Sequence, residues 1–197
     1  MAGPVVPANR QGNQGLLRCI AVAIIAILVL VGLVVLITWL VIRPKKLVYT
    51  LESGRVSGFG LHRDQLNGTF DFTLKAYNPN RRVGLYYDSI QVTVSYDYET
   101  IAFQTLKPFF QPRHNVTHFE VKTVAQSVAL LPSVAKDLRL EKSSGEIELK
   151  IRLKARIRFK VGIWKSSHYN LKVVCSQVEV HPNSTKAFKG KKCDVDF

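Results

Sequence analysis

From Ile20 to Ile42 the chain runs for 23 residues without a charge. At about 1.5 Å per residue a helix of that length covers roughly 35 Å, enough to cross a hydrocarbon core of about 30 Å with some tilt. A cleaved signal peptide also places a basic residue, here Arg18, ahead of an apolar stretch, but that stretch is about 7–15 residues long and ends at a small-residue cleavage site. This one ends on bulky Leu36-Ile37-Thr38-Trp39-Leu40-Val41-Ile42, followed by Arg43, Lys45 and Lys46. The reading is one uncleaved signal-anchor helix over residues 18–42, with Trp39 at the interface, between a short Pro/Gly/Gln/Asn tail (residues 1–17) and a large C-terminal part.

Flanking charge does not orient the span, since Arg10 and Arg18 on one side face Arg43, Lys45 and Lys46 on the other. The sequons do. Asn67-Gly68-Thr69, Asn115-Val116-Thr117 and Asn183-Ser184-Thr185 all follow the apolar run, and sequons are glycosylated only on the lumenal side. The expected topology is a cytosolic N-terminus and a C-terminal domain outside the cell, with Asn67, Asn115 and Asn183 as candidate glycan acceptors.

About 155 residues remain beyond the span, the size of one domain with its own core. They carry all 14 acidic residues and all but two of the 28 Lys and Arg, a net charge of +12. Such a domain favours anionic partners, namely acidic polysaccharide or lipid headgroups, although a basic surface also serves plain solubility. Nucleic acid is not an expected partner: an extracytosolic domain does not meet it, and no zinc-finger, helix-turn-helix or RNA-recognition signature is present. Of the three cysteines, Cys175 and Cys193 fall in the oxidising compartment and are expected to pair. Cys19, at the membrane edge, is either palmitoylated or simply a small hydrophobe.

Ile147, Leu149, Ile151, Leu153, Ala155, Ile157, Phe159 and Val161 alternate with charged residues. Strict period two means a β-strand with one buried face. Glu146 to Val161, at about 3.4 Å per residue, would reach some 54 Å, so a bend or bulge is expected within it. Ile90, Val92, Val94, Tyr96 and Tyr98 form a second alternating strand, and Phe70, Phe72, Leu74 and Ala76 a third. Val116–Val124, Tyr169–Val180 and the membrane-proximal Leu47–Val56 are weaker candidates, and Ser127–Glu141 reads as a helix interrupted by Pro132. The pattern predicts a mainly β protein: an antiparallel β-sandwich over residues 66–197, joined to the span by a strand and connector over residues 43–65.

No Gly-X-Ser-X-Gly, His-Glu-X-X-His, Walker loop or Gly-X-Gly-X-X-Gly is present, and no catalytic residue or cofactor is expected. His114 and His118 lack the third convergent ligand that a transition metal requires.

Between two strands stands Asn78-Pro79-Asn80-Arg81-Arg82-Val83-Gly84-Leu85-Tyr86-Tyr87-Asp88. Asn-Pro stops a strand by removing a donor, and Gly84 permits a positive φ before the next strand. This segment resembles the signature of the plant harpin-induced-like and non-race-specific disease resistance-like family, membrane-anchored members of the late embryogenesis abundant group-two superfamily. Asn78, Pro79, Asn80, Gly84, Tyr86, Tyr87 and Asp88 carry the likeness. Phe109-Phe110-Gln111, the basic strand Lys154–Gly162, and the ending with Cys175 and Cys193 agree with it across roughly residues 18–197. Asp97-Tyr98-Glu99-Thr100 and Gln111-Pro112-Arg113-His114 depart from it, standing where the family has Gly-containing turns. The resemblance implies a fibronectin-type-III-like sandwich on one anchor, at the plasma membrane or plasmodesmata, acting in defence or stress responses.

On the charged side of the long strand, Lys150, Arg152, Lys154, Arg156, Arg158 and Lys160 form a stripe. It is either the solvated face of an amphipathic strand or a contact for an anionic surface. Two functional readings follow: a tethered, non-enzymatic binding or signalling module that meets wall polysaccharide, acidic lipid or protein partners, or a lipid-binding carrier or membrane-contact tether that holds a lipid in an apolar cavity between its sheets.

Overall fold

The structure, a computed structural model, describes residues 11–42, 45–182 and 188–197; Arg10, Arg43 and the sequon residue Asn183 lie outside them. The chain divides into two compact units, residues 1–43 and 44–197. The first holds helix α1 (Gln11–Ile42). Its segment Gly15–Ile37 has a mean hydropathy of 3.5 and no part of it is buried, so the helix is long and apolar enough to cross a membrane.

The second unit consists of β1 (Val48–His62), β2 (Gln65–Asn78), β3 (Gly84–Tyr96), β4 (Glu99–Leu106), β5 (Phe109–Gln111), β6 (Asn115–Ala129), α2 (Pro132–Ser144), β7 (Ile147–Val161), β8 (Trp164–Lys165), β9 (Tyr169–Val180) and β10 (Lys191–Asp196). The main path runs β4-β3-β7-β9-β10-β1-β2-β6, with β5 added to β3 and β8 to β7. All of these pairings are antiparallel. The expected pair of sheets is one sheet rolled into a nearly closed barrel. Strand β10 makes the join, because its Lys191–Cys193 half pairs with β1 and its Asp194–Asp196 half with β9. At the far ends of the path β4 and β6 come together, where the Lys122 N–H donates to Gln104 Oε1 at 2.8 Å.

Alternation fills the barrel. In β2 every second residue from Leu66 to Asn78 is buried, and in β7 Ile147, Leu149, Ile151, Leu153, Ala155 and Ile157 point inward. Tyr49, Tyr87, Phe70, Leu51 and Leu74 are among the largest side chains wholly removed from solvent. Each apolar one contributes about 1.5–3 kcal/mol of burial. The bulge anticipated in the long strand is present, as a register shift against β9 between Leu149 and Ile151. A second shift, on β3 between Tyr87 and Ser89, interrupts the pairing on the other flank of β7.

Three local expectations change. Ser127–Ala129 complete β6, and Pro132 opens α2 instead of interrupting it. The first helical turn has no use for the missing N–H, which makes it a favourable place for proline. Tyr98 is not a strand residue: with Asp97 at φ +52° it lies in the β3–β4 turn, 90% exposed. Residues 48–62 pair with β2 along nearly their whole length, so this stretch is a wall of the barrel.

Candidate anion-binding face

The outer face of β7 carries all six basic residues of the stripe, but its neighbours divide them. Arg158 is engaged by Asp88 of β3: its Nε donates to Asp88 Oδ2 at 2.8 Å and its Nη2 to Oδ1 at 2.6 Å. The hydrogen bonds from Arg158 hold the Asp88 carboxyl below the ordinary carboxylate range, and the same partner raises the guanidinium pKa. His168 Nε2 stands 3.4 Å from the same Asp88 Oδ2. Lys160 Nζ sits over the Phe110 ring at 5.1 Å and the Tyr86 ring at 5.8 Å. Lys150 and Arg152 are half-buried, leaving Lys154 and Arg156 as the open members of the stripe.

Those two are joined by a residue that sequence reasoning passed over. Register places Lys172 of β9 directly across from Lys154, and Asn170 across from Arg156; on the other flank Lys154 faces Gln91 and Arg156 faces Ser89. Together with Thr105 these side chains line a surface groove of about 590 Å³. Three cations thus lie along a trough whose remaining lining is Ser89, Gln91, Thr105 and Asn170 together with apolar Ile90, Ala155 and Leu171; Asp196 of β10 stands across from Lys172, and the excess of positive charge suits carboxylate or other anionic groups. Lys172 alternates with buried Leu171 and Val173, the one sequence signal that marks it as outward.

The Asn-Pro-Asn motif takes no part in the groove; it builds one end of the barrel. Asn78 is fully buried. Its Nδ2 donates to the carbonyls of Val83 and Pro112, and its Oδ1 accepts from both Asn80 N–H and Asn80 Nδ2. Asn80 in turn clasps the Lys45 backbone. Gly84 does not have the positive φ expected of it. A Cβ there would stand 2.8 Å from Phe110 Cζ, so glycine makes room for that ring.

The late embryogenesis abundant protein family matches residues 73–175, about half the chain. NDR1/HIN1-like protein 3 of Arabidopsis thaliana is 34% identical over 180 residues, covering 88% of this chain and 78% of that protein. This chain belongs to the NDR1/HIN1-like family of late embryogenesis abundant proteins. NDR1/HIN1-like protein 1 of the same plant is 31% identical over 84% of this chain and 81% of its own length. An uncharacterized Arabidopsis protein reaches 38% over 85% and 76% respectively.

In this NDR1/HIN1-like chain the motif tyrosines have separate tasks. Tyr86 offers its ring to Lys160 and to Lys165, whose Nζ lies 4.7 Å from its centre. Tyr87 points inward, stacks on Phe109 at 4.5 Å, and shares a 2.5 Å hydrogen bond with Tyr49. Its hydroxyl donates to Gln111 Oε1, while Gln111 Nε2 donates to the carbonyls of Ala76 and Asn115. Burial pushes the pKa of both phenols well above its usual value, so this network stays neutral. Gln111, at 0% exposure, is structural.

Cys175 on β9 and Cys193 on β10 are joined by a disulfide with Cα atoms 4.4 Å apart. Cys19 is free and exposed on α1. Asn67 and Asn115 are both exposed, and Asn67 Oδ1 accepts from the Ser127 N–H at 2.8 Å, which leaves Nδ2, the atom a glycan takes, pointing elsewhere. His118 pairs with Glu52 at 3.3 Å and His114 meets the Tyr77 ring edge-on. Among the described residues no His, Cys, Asp and Glu group is placed to hold a metal ion.

Proposed function

We propose that this protein is a single-pass, membrane-anchored, non-enzymatic binding module that presents its basic barrel outside the cell, at the plasma membrane or plasmodesmata, in plant defence or stress responses. The observation that carries the reading is the groove formed by Lys154, Arg156 and Lys172 on one open flank of the barrel. An extended polyanion suits it better than a compact ligand, because the cations lie along neighbouring strands about 4.8 Å apart and the trough is open at the surface. An anionic wall polysaccharide such as polygalacturonate supplies carboxylates in such a row. Asn67, Asn115 and Asn183 are the proposed glycan acceptors on the same side of the membrane.

The interior supports this reading over a lipid carrier, since large side chains such as Tyr49, Tyr87, Phe70 and Leu66 occupy the space between the walls. The test is the lateral mobility of the tagged full chain in intact plant cells. Pectinase treatment, or a rise in external salt, is expected to free the protein, because exposed charge contacts are screened. Mobility indifferent to both treatments, or a C-terminal domain protected from protease added outside, would contradict it.

A further inference from the structure

The β7–β8 hairpin ends in an apolar tip that local structure does not require. Lys160 pairs with Lys165 and Val161 with Trp164, leaving a two-residue turn of Gly162 and Ile163. Gly162 has φ +58°, as the first position of a II′-type turn asks. Its second position ordinarily takes Asn, Asp or Ser, yet here Ile163 stands there, 102% exposed, beside Trp164 at 63%. Neither side chain contributes to the core.

What surrounds this tip is basic. Arg82 and Arg113 share a cleft of about 250 Å³ with Phe110, Lys160 and Gly162. Lys160 and Lys165 flank the turn, held over the Tyr86 ring. Acidic groups toward this end include Asp88, engaged by Arg158, and Asp196, whose register partner is Lys172. It is also the end where the chain enters the barrel: Asn80, in the loop that carries Arg82, holds the backbone of Lys45, and Lys45 is separated by two residues of sequence from the last residue of the apolar helix.

We propose that Ile163 and Trp164 form a membrane-docking tip that inserts into the interfacial region of an anionic bilayer, with Lys160, Lys165, Arg82 and Arg113 meeting the headgroups. Tryptophan favours the headgroup level, an exposed aliphatic residue gains by leaving water, and cations around them are attracted to anionic lipid. The site lies apart from the polyanion groove and does not depend on it. It adds a second attachment that fixes which end of the barrel faces lipid.

The test uses the full chain in proteoliposomes. Trp39→Phe leaves Trp164 as the sole tryptophan, since the sequence has two. Brominated phosphatidylcholine, with and without phosphatidylserine, reports contact with lipid, and iodide reports exposure to water. In vesicles containing phosphatidylserine at low salt, Trp164 emission is expected to be lost to brominated lipid and shielded from iodide. Ile163→Asp and Lys160→Gln/Lys165→Gln are each expected to reverse both effects; Ile163 is fully exposed, so the first leaves folding untouched. Three results would overturn the proposal: Trp164 remaining open to iodide in anionic vesicles, lipid quenching that persists in these variants, or shielding from iodide without lipid quenching. The last would assign the tip to a protein surface.

Discussion

The side chain of Asn80 holds the backbone of Lys45 from both sides: Oδ1 accepts the Lys45 N–H at 2.6 Å and Nδ2 donates to its carbonyl at 2.9 Å. An asparagine mimics a β-partner here, so the Asn-Pro-Asn segment fastens the point where the chain enters the barrel. Asn80→Ala removes both bonds and strips Asn78 Oδ1 of a donor. The expected cost is about 1–3 kcal/mol of domain stability, with faster tryptic cleavage after Lys45 and Lys46. Unchanged proteolysis and melting would mean the clasp holds nothing.

The Asp88–Arg158 pair makes a pH-dependent contribution of definite sign. The Asp88 carboxyl is held below its ordinary value by hydrogen bonds from Arg158. Its stabilisation is therefore present in full above the unfolded carboxylate pKa, about 3.9, and is lost as pH falls through the lowered folded value. Asp88→Asn should melt below wild type at neutral pH, and the gap should close as the medium is acidified through that range. A gap independent of pH would show that the difference arises from packing.

The Cys175–Cys193 disulfide closes a separation of 18 residues, which the loop-entropy relation values at about 3 kcal/mol. Since β10 joins the β1 and β9 halves of the sheet, reduction should loosen the C-terminal strand first. Peptide mapping of membrane-extracted protein without reductant is expected to yield the linked pair. Free thiols at both positions would contradict it.

Asn67 and Asn115 lie at opposite ends of the barrel: Asn115 opens β6 beside Asn78, at the end clasped to Lys45, and Asn67 lies near the β1–β2 turn. If the Lys45 end faces the bilayer, Asn67 is the better placed acceptor. Asn67→Gln is expected to remove more of the glycosidase-sensitive mass than Asn115→Gln. The reverse order would argue against that orientation.

Much of this was legible in the chain. The alternation from Ile147 to Val161 gave the strand and its inward face, and its excessive length announced the bulge found at Leu149/Ile151. Register could not be read the same way. Asp88 and Arg158 are 70 residues apart in sequence, so nothing local showed that one arginine of the stripe was already engaged. For the same reason Lys172 joins Lys154 only through strand pairing. The short strands β5, β8 and β10 span three, two and six residues, too few for periodicity to register. Gly84 was marked for its backbone, but what requires it is the Phe110 ring of the neighbouring strand β5, 26 residues on in sequence.

Retention of the full chain on immobilised polygalacturonate at low salt, compared across variants, tests the central claim most directly. Lys154→Gln/Arg156→Gln/Lys172→Gln empties the groove of charge at outward positions, where each change should move stability by no more than about 0.5 kcal/mol. Arg158→Gln removes one positive charge from the same strand but outside the groove, and breaks the Asp88 pair. The account predicts that the triple variant loses salt-sensitive retention while Arg158→Gln keeps it despite melting lower. Equal retention of wild type and triple variant, or losses that follow the charge removed wherever it sits, would contradict it.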